Sequence, residues 1–187
     1  GWDEQIFEGA LEALKDFEEQ PLVQARLLQV VAETLKELGL LEMALKPQEQ
    51  ALEVRRRELG DEHPDTLLSI NDLGVLLSAQ GKYDQAEPLL REALEVRRRT
   101  LGDEHPATLI SINNLGGLFW AQGKYDDAEP LMREALEVQR RTLGDEHPST
   151  LNSINNLGTL FQNQGKYDEA ESLYREALEV QIGRAHV

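Results

Sequence analysis

The sequence predicts an all-α fold, a solenoid of antiparallel helix pairs, from three observations. The block that begins at Ala51 returns almost unchanged at Ala93 and at Ala135, 42 residues later each time. Within each copy, apolar residues recur at steps of three and four, which is typical of an amphipathic helix. Proline and glycine occupy fixed places in every copy, where they begin and end helices. A period of this length indicates an array in which each unit buries its apolar face against its neighbours.

Each copy is expected to contain two helices. The first is predicted from about Pro64 to Gln80, because proline suits the first helical position and Gly81 supplies the left-handed residue that ends a helix. Its apolar positions are Leu67, Ile70, Leu73, Gly74 and Leu77. The second helix is predicted to begin at Tyr83 or Asp84 and to close at Gly102. Its apolar positions are Ala86, Leu90, Ala93, Leu94 and Leu101.

The pattern extends beyond the clear copies in a degraded form. We expect one solenoid over residues 1–181, made of a capping helix in 1–20, a degenerate repeat in 21–62 and clear repeats in 63–104, 105–146 and 147–181. The capping helix should run from about Trp2 to Phe17. Its apolar face is predicted to hold Ile6, Ala10, Leu14 and Phe17. Residues 182–187 break the repeat and match the translation of a common sequencing adapter. Our hypothesis is that they are a non-native tail and that the natural array continues.

Composition restricts the classes of partner. The chain of 187 residues has a formal net charge of −16, which disfavours binding to nucleic acid and to anionic membranes. A basic or neutral protein segment is a more compatible partner. The sequence contains no cysteine, no apolar run long enough to cross a membrane and no basic signal peptide at its start. We therefore expect a cytoplasmic protein.

The repeated motifs resemble a known family. The pair Leu73–Gly74, the segment GKYDQA at Gly81–Ala86, and Ala93 match the tetratricopeptide pattern of paired helices. That pattern normally repeats at about 34 residues. The longer unit, with REALEV and LGxxHP, resembles the variety found in kinesin light chains and in many large multidomain proteins. The resemblance covers nearly everything from Leu22 to Gln181. It implies a right-handed superhelix whose first helices line a concave groove for peptides or partner helices.

The glycines inside the first helices need an explanation, because glycine in a helix costs about 1 kcal/mol relative to alanine. They are Gly74, Gly116 and Gly158. We expect the second helix of each pair to pack closely at these positions. The facing residues are predicted to be Ala86, Ala128 and Ala170.

The copies differ mainly on the first helix, at positions that face the groove in the tetratricopeptide pattern. The differences indicate either drift at exposed positions or diversification of a binding surface on a fixed scaffold. One asparagine per copy stays unchanged on that face, and its amide could pair with a peptide unit of a ligand, or with a neighbouring helix or water. The predicted groove residues are Leu68, Asn71, Val75, Ser78, Ile110, Asn113, Gly117, Trp120, Asn152, Asn155, Thr159 and Gln162.

Trp120 is the strongest single candidate for a binding hot spot, although its ring could equally cover Gly117 and Phe119 locally. The groove should be apolar around Leu68, Val75 and Trp120. It should be rich in amides around Asn152, Thr159 and Gln162. We therefore expect a ligand with one apolar and one polar end. The paired residues Asp72, Asn114 and Asn156 are expected to face the adjacent helix. No groove position is Lys or Arg, which argues against the carboxylate clamp and the acidic cargo peptides that the resemblance would otherwise imply.

Other polar patterns indicate structural roles. His63, His105 and His147 lie on successive repeats, roughly 10 Å apart by helix-packing dimensions, which is too far for them to share a metal ion. The arginine triplets at second-helix ends complement the helix dipole. We find no P-loop, zinc-ligand motif or nucleophile elbow. We therefore expect no catalytic residue, metal or cofactor, and a protein that is not an enzyme.

The function predicted best is a scaffold that binds a peptide or partner segment in the groove. An alternative is an assembly module that stacks end to end through an apolar face of the final helix. That face is predicted to hold Leu173, Ala177 and Val180. A further alternative is the sensor arm of a larger signalling ATPase, or part of a kinesin light chain.

Overall fold

The computed structural model describes residues 2–17 and 19–185, with backbone alone at 2–4, 6, 184 and 185. All regular secondary structure in these residues is helical, which confirms the predicted fold class. The elements are α1 (Trp2–Ala13), a 3-10 turn (Leu14–Phe17), α2 (Pro21–Glu37), α3 (Leu41–Leu59), α4 (Pro64–Ala79), α5 (Tyr83–Leu101), α6 (Pro106–Ala121), α7 (Tyr125–Leu143), α8 (Pro148–Asn163) and α9 (Tyr167–Ala185). Residues 182–185 continue α9, and residues 186 and 187 of the predicted tail lie outside the described part of the chain.

The chain divides into two compact units, residues 1–96 and 97–187, and the boundary falls inside α5. In the first unit α2 packs on α3 and α3 packs on α4. In the second unit α6 packs on α7, α7 on α8 and α8 on α9. Sequential helices form antiparallel pairs. Within the described residues, no helix has the length and apolar character that crossing a bilayer requires.

The helix ends follow the glycine and histidine positions. Gly81 has a φ of 74°, and the backbone N–H groups of Gly81 and Lys82 donate to Ser78 O and Leu77 O at 2.9 Å each, so orphan carbonyls of α4 are paired. The predicted left-handed closure at Gly81 is confirmed. The first helix ends one residue earlier than predicted, because Gln80 is its C-cap.

Each histidine of the HP loops is an N-cap. The Nδ1 atom of His63 accepts the N–H of Asp65, that of His105 accepts Ala107 N–H and that of His147 accepts Ser149 N–H, all at 3.1 Å. These bonds satisfy one of the backbone donors that every helix start leaves unpaired. Their structural role is therefore specific: they begin α4, α6 and α8.

The N-terminal helix presents the predicted face only in part. Leu14 is buried with Ala25, Leu28 and Ala51, and Leu11 packs against this group, so the segment lies on α2 and α3. The prediction is therefore right for Leu14. Ala10 is exposed, the face is instead continued by Leu11 and Phe7, and the Ile6 side chain is outside the described residues. The spacing 7, 11, 14 follows the helical period, and the helix stops at Ala13 before Phe17.

The predicted close packing is present at Gly74 and Gly158, where other residues than predicted lie nearest, but at Gly116 an added β-carbon would make ordinary van der Waals contacts. A β-carbon on Gly74 would lie 2.8 Å from Leu90 Cγ, and one on Gly158 would lie 2.8 Å from Tyr174 Cε1. At Gly116 the nearest atoms are Leu131 Cβ and Met132 Cγ, at 3.5 Å each.

The alanine assignment is therefore wrong for Ala128, and at Gly158 the three nearest atoms all belong to Tyr174. It holds only in part for Ala86, whose carbonyl oxygen would be 3.4 Å from the added carbon. The residue that covers each glycine lies further along the second helix, at Leu90, Met132 or Tyr174. Helical side chains point toward the N-terminus of their helix. A large side chain therefore covers the surface over the turn that precedes its own Cα.

Two neighbouring glycines on α6 provide a matched test of this packing. Gly116→Leu should lower the free energy of unfolding by about 1–3 kcal/mol, because the added atoms must enter space held by Leu131 and Met132. Gly117→Leu should leave it unchanged or raise it by up to about 1 kcal/mol, because nothing lies within 4 Å of its β-carbon. Urea denaturation followed by circular dichroism measures both. Equal midpoints for the two variants would contradict the packing assignment.

Candidate functional site

The second unit contains a cleft of about 540 Å³ between α6 and α8, with α7 beneath them. It is lined by Asn113, Gly117, Trp120, Met132, Gln139, Ser149, Asn152, Ser153 and Asn156. The α6 and α8 residues come from the first helices of two successive pairs, as the groove hypothesis requires. The structure therefore brings together the predicted residues Asn113, Gly117, Trp120 and Asn152.

The α6 wall of the cleft combines open space with an aromatic ring. Gly117 is exposed and has no side chain, so the cleft is open at this point. Trp120 is half-buried, and its ring meets that of Tyr125 edge to face, with centroids 6.3 Å apart and an interplanar angle of 83°. This contact orients the indole while leaving part of it at the cleft. Both sequence interpretations of Trp120, local packing and exposure to a ligand, are therefore compatible with its position.

The polar end that the sequence predicts is divided. Asn152 lines the cleft, but Thr159 and Gln162 lie with Tyr174 instead. The Thr159 hydroxyl is 3.0 Å from the Tyr174 hydroxyl, which donates to Gln162 Oε1 at 3.4 Å. Polar character within the cleft comes instead from serines and an asparagine of α8 that the sequence analysis did not select. They are Ser149, Ser153 and Asn156.

The three equivalent asparagines are not equally accessible. Asn113 is exposed and Asn155 half-buried, but Asn71 is only 3% exposed, so the prediction of a groove amide is wrong for Asn71. The preceding repeat shows what this position does. Gln29 occupies it, is buried, and donates to Asp72 Oδ2 at 3.0 Å. An amide here bonds a neighbouring helix, which was the alternative interpretation.

The companion positions also diverge. Asp72 faces the adjacent helix α2, as expected. Asn156 does not fit that expectation, because it is exposed and lines the cleft. Asn156 therefore joins the candidate site. In the first unit, Leu68 is 39% exposed, and Val75 and Ser78 are half-buried. Ile110 of the second unit is 53% exposed but is not among the residues that line the cleft.

The first arginine of each triplet is buried, which the sequence analysis missed. Arg55 Nη1 donates to Ser69 Oγ at 2.7 Å and to Asp65 O at 3.2 Å. Burial lowers the pKa of the Arg55 guanidinium below its ordinary value, and Asp65 and Asp72 act in the opposite direction. In the second unit Arg97 Nη1 donates in the same way to Ser111 Oγ at 2.8 Å and to Ala107 O at 3.1 Å.

The equivalent position in the third copy is Gln139, which is 7% exposed and lines the cleft. Its Oε1 is buried and has no hydrogen-bond partner among the residues that the structure describes. The signal was visible in the sequence, since ALEVRRR becomes ALEVQRR at this copy. The predicted dipole role of the triplets does not distinguish this position from its neighbours.

The middle arginine of each triplet forms an ion pair with the next second helix. Arg56 Nη2 lies 2.8 Å from Glu92 Oε1 in the first unit. In the second unit the equivalent pairs are Arg98–Glu134 and Arg140–Glu176. Because these side chains are 33–38% exposed, each pair contributes about 0–1 kcal/mol. They help to set the spacing of the repeats and are not part of the cleft.

A charged cluster joins α7 to the turn before α9. Burial raises the pKa of Glu129, but hydrogen bonds from Lys166, Arg133 and Gln164 outweigh it and hold the pKa at about 2. Lys166 Nζ lies 2.7 Å from Glu129 Oε2, and the Glu129 side chain is 18% exposed. The Arg133 guanidinium also lies 4.8 Å from the centre of the Phe161 ring. The cluster holds α7, the floor of the cleft, against the helix pair that follows.

The apolar face of α9 differs from the predicted one. Ala177 is 3% exposed, and Leu173 and Val180 are half-buried, so this face packs inward. The exposed apolar side chains are Leu178 at 54%, Ile182 at 48% and Tyr174 at 36%. They recur at steps of four on the opposite side of the helix. Any contact with another chain through α9 would use these residues.

Comparison with known proteins identifies the repeats. The tetratricopeptide repeat family matches residues 23–99, 71–137 and 112–182. The structure of BtubC (BKLC) from P. vanneervenii has a TM-score of 0.82 at 21% identity, over 98% of this chain and 74% of that one. A candidate kinesin light chain of Podospora anserina with nearly identical TPR-like repeats has a TM-score of 0.71 at 24% identity, over 96% of each chain.

A Rap protein complexed with Competence and Sporulation Factor has a TM-score of 0.72 at 19% identity, over 96% of this chain and 50% of that one. At these identities the likeness shows the fold alone. The expected similarity to repeats of the kinesin-light-chain type is confirmed at that level. No curated protein sequence matches this chain.

The Glu129 cluster should make stability depend on pH in the acid range. The pKa of about 2 in the folded chain lies below the ordinary value of 4.5, so the ionised carboxylate stabilises the folded state above about pH 4.5. This contribution is lost as the pH falls through about 2. Glu129→Gln should therefore lower the free energy of unfolding at pH 7 by on the order of 1–3 kcal/mol.

The deficit of Glu129→Gln should shrink between pH 5 and pH 2, because the wild-type carboxylate then becomes protonated. Urea denaturation across this pH range measures it. Glu137→Gln is the matched control, since Glu137 lies on the same helix with its side chain 79% exposed. A deficit that stays constant with pH, or that the control shares, would contradict the role given to Glu129.

Proposed function

This chain belongs to the tetratricopeptide repeat family, and from that premise we propose that its second unit binds an extended peptide segment of a partner protein in the cleft between α6 and α8. Tetratricopeptide repeat domains are generally protein–protein interaction modules. The observation that carries the proposal is the cleft itself, because most of the residues that line this hollow of about 540 Å³ vary between the copies, on an otherwise repeated framework.

The chemistry of the walls supports a peptide over a small apolar ligand. Trp120 and Met132 offer apolar surface, while Asn113, Asn152 and Asn156 offer amides that both donate and accept hydrogen bonds. An extended backbone needs both kinds of partner group, and peptide grooves combine them. The Rap protein of similar fold is complexed with Competence and Sporulation Factor, which supports the use of this architecture for holding a partner.

A displayed library of random peptides, selected on the wild-type protein, tests the proposal. Peptides enriched on wild type should bind Trp120→Ala about tenfold or more weakly, because aromatic anchors dominate such interfaces. They should also bind Asn113→Ala about tenfold or more weakly, because that variant loses an amide that donates and accepts hydrogen bonds. Gly117→Leu should also weaken binding, since it fills the open wall without disturbing the fold.

Asp127→Ala is the matched control, because Asp127 is exposed on α7 and is not among the residues that line the cleft. It should bind the selected peptides as wild type does. Equal binding to all these variants, or no enrichment on wild type, would contradict the assignment of the cleft.

A second candidate function is assembly between copies through α9. The exposed side chains of Tyr174, Leu178 and Ile182 form the apolar stripe described above, and Leu178 borders a hollow of about 410 Å³ with Tyr167 and Tyr174. If this stripe joins copies, the mass measured by light scattering should rise with protein concentration. Leu178→Glu should abolish the rise. A constant mass at all concentrations would exclude this function.

A further inference from the structure

We propose that the floor of the cleft in the second unit binds a guanidinium group, supplied by an arginine side chain of the partner segment. This inference rests on the proposed function, since it names the side chain that the peptide places in the cleft. It follows from a comparison of the three copies of one position within the chain. In two copies the chain supplies its own guanidinium, and in the third it does not.

The first two copies show how the floor holds a guanidinium. In each of them the arginine is nearly buried, with Arg55 7% and Arg97 5% exposed. Its Nη1 donates to a serine hydroxyl and to a backbone carbonyl of the following helix, over distances of 2.7–3.2 Å. Arg97 donates to two uncharged groups, Ser111 Oγ and Ala107 O. Neutral oxygens are therefore among the acceptors that hold this buried cation.

The third copy keeps the acceptors and lacks the donor. Ser153 and Ser149 occupy the positions of Ser111 and Ala107 one repeat later, and both line the cleft. Gln139 replaces the arginine, and its shorter side chain ends in an amide whose Oε1 has no partner among the described residues. The side chain is more than nine-tenths buried, so this oxygen is an acceptor held at the floor of an open cleft. A buried acceptor without a donor is unfavourable, and a ligand that donates to it gains the corresponding free energy.

The geometry of the acceptors favours guanidinium over ammonium. Gln139 Oε1, Ser153 Oγ and the Ser149 carbonyl are separate oxygens on two helices. A guanidinium carries five N–H donors in a planar fork, no acceptor and weak hydration, whereas the lysine ammonium is a compact and strongly hydrated point charge. Trp120 lines the same cleft and supplies an aromatic ring of the kind on which guanidinium stacks. The net charge of −16 also attracts cationic segments over long distances.

Two small cations distinguish these chemistries directly. The wild-type protein is titrated with ethylguanidinium chloride and, at equal ionic strength, with ethylammonium chloride, and the amide resonances are followed by ¹⁵N–¹H NMR. Ethylguanidinium should produce saturable shifts at the Gln139 side-chain amide and at Ser153. Ethylammonium should produce at most a tenth of that shift at the same concentration, by the order of magnitude expected for losing one or two charge-assisted bonds. Equal responses to the two ions would overturn the proposal.

A variant that restores the chain's own guanidinium tests the mechanism. Gln139→Arg should place its side chain on Ser153 and Ser149 as Arg97 does on their equivalents, so the ethylguanidinium shifts should disappear while the thermal midpoint is maintained or rises. Gln139→Met keeps the side-chain length but removes the acceptor, and should weaken the response at Ser153 several-fold without abolishing it. Ser153→Ala tests the second acceptor and should have a similar effect. An unchanged response in Gln139→Arg would overturn the proposal.

Peptides separate this inference from the proposed function. Among peptides selected on wild type, replacement of one arginine by lysine should weaken binding about tenfold or more, and Gln139→Arg should weaken the parent peptide to the same level. If peptides bind the cleft with no arginine preference and Gln139→Arg binds them normally, the guanidinium site is wrong and the peptide groove stands. If ethylguanidinium binds but no peptide is enriched, the groove is wrong and the cation site stands.

Discussion

The starts of α4 and α6 each depend on one residue that is held from two sides. In the first unit the Asp65 N–H is accepted by His63 Nδ1, and the Asp65 carbonyl accepts from Arg55. In the second unit Ala107 is held in the same way by His105 and Arg97. The histidine begins the helix, and the arginine ties that beginning to the preceding helix. Because a repeat array relies on contacts between neighbouring units, these local bonds must specify where each helix starts.

At the third junction one of the two restraints is missing. Ser149 N–H is still accepted by His147, but Gln139 at the arginine position is too short to repeat the second contact. The apolar interior there is intact, with Ile154 fully buried and Leu157 2% exposed. The helix pair therefore keeps its hydrophobic stabilisation and loses only a polar restraint worth roughly 1–3 kcal/mol. Its serine and amide groups line the cleft, whereas the equivalent serines Ser69 and Ser111 at the other junctions are fully buried.

The fold was predictable from the sequence because the evidence for it is repeated. A proline that starts a helix and a glycine that ends it occur at the same offset in every copy, so the period alone places the helix pairs, and α4 differs from its predicted bounds by one residue. The capping helix has no second copy to average over. Its predicted face was wrong at Ala10, because Phe7 and Leu11 are the apolar residues that pack against the core from this short helix. The partners of Gly116 and Gly158 were also beyond the pattern, since they depend on how side chains lean across a crossing.

The candidate site was predictable only where exposure followed from the family pattern, as it did for Asn113, Gly117 and Trp120. Asn71 and Asn113 are the same residue type at equivalent positions, yet Asn71 is buried and Asn113 is exposed. Identity between copies therefore did not imply equal solvent exposure. Gln139 shows the converse. When one copy loses the arginine at this buried, hydrogen-bonded position, the oxygen atoms that accept its hydrogen bonds in the other copies stay in place. Those oxygen atoms can still accept hydrogen bonds from a guanidinium. In a repeat protein, the unaltered copies thus indicate which chemical group of a ligand the altered copy can bind. Sequence variability at the surface alone does not indicate this.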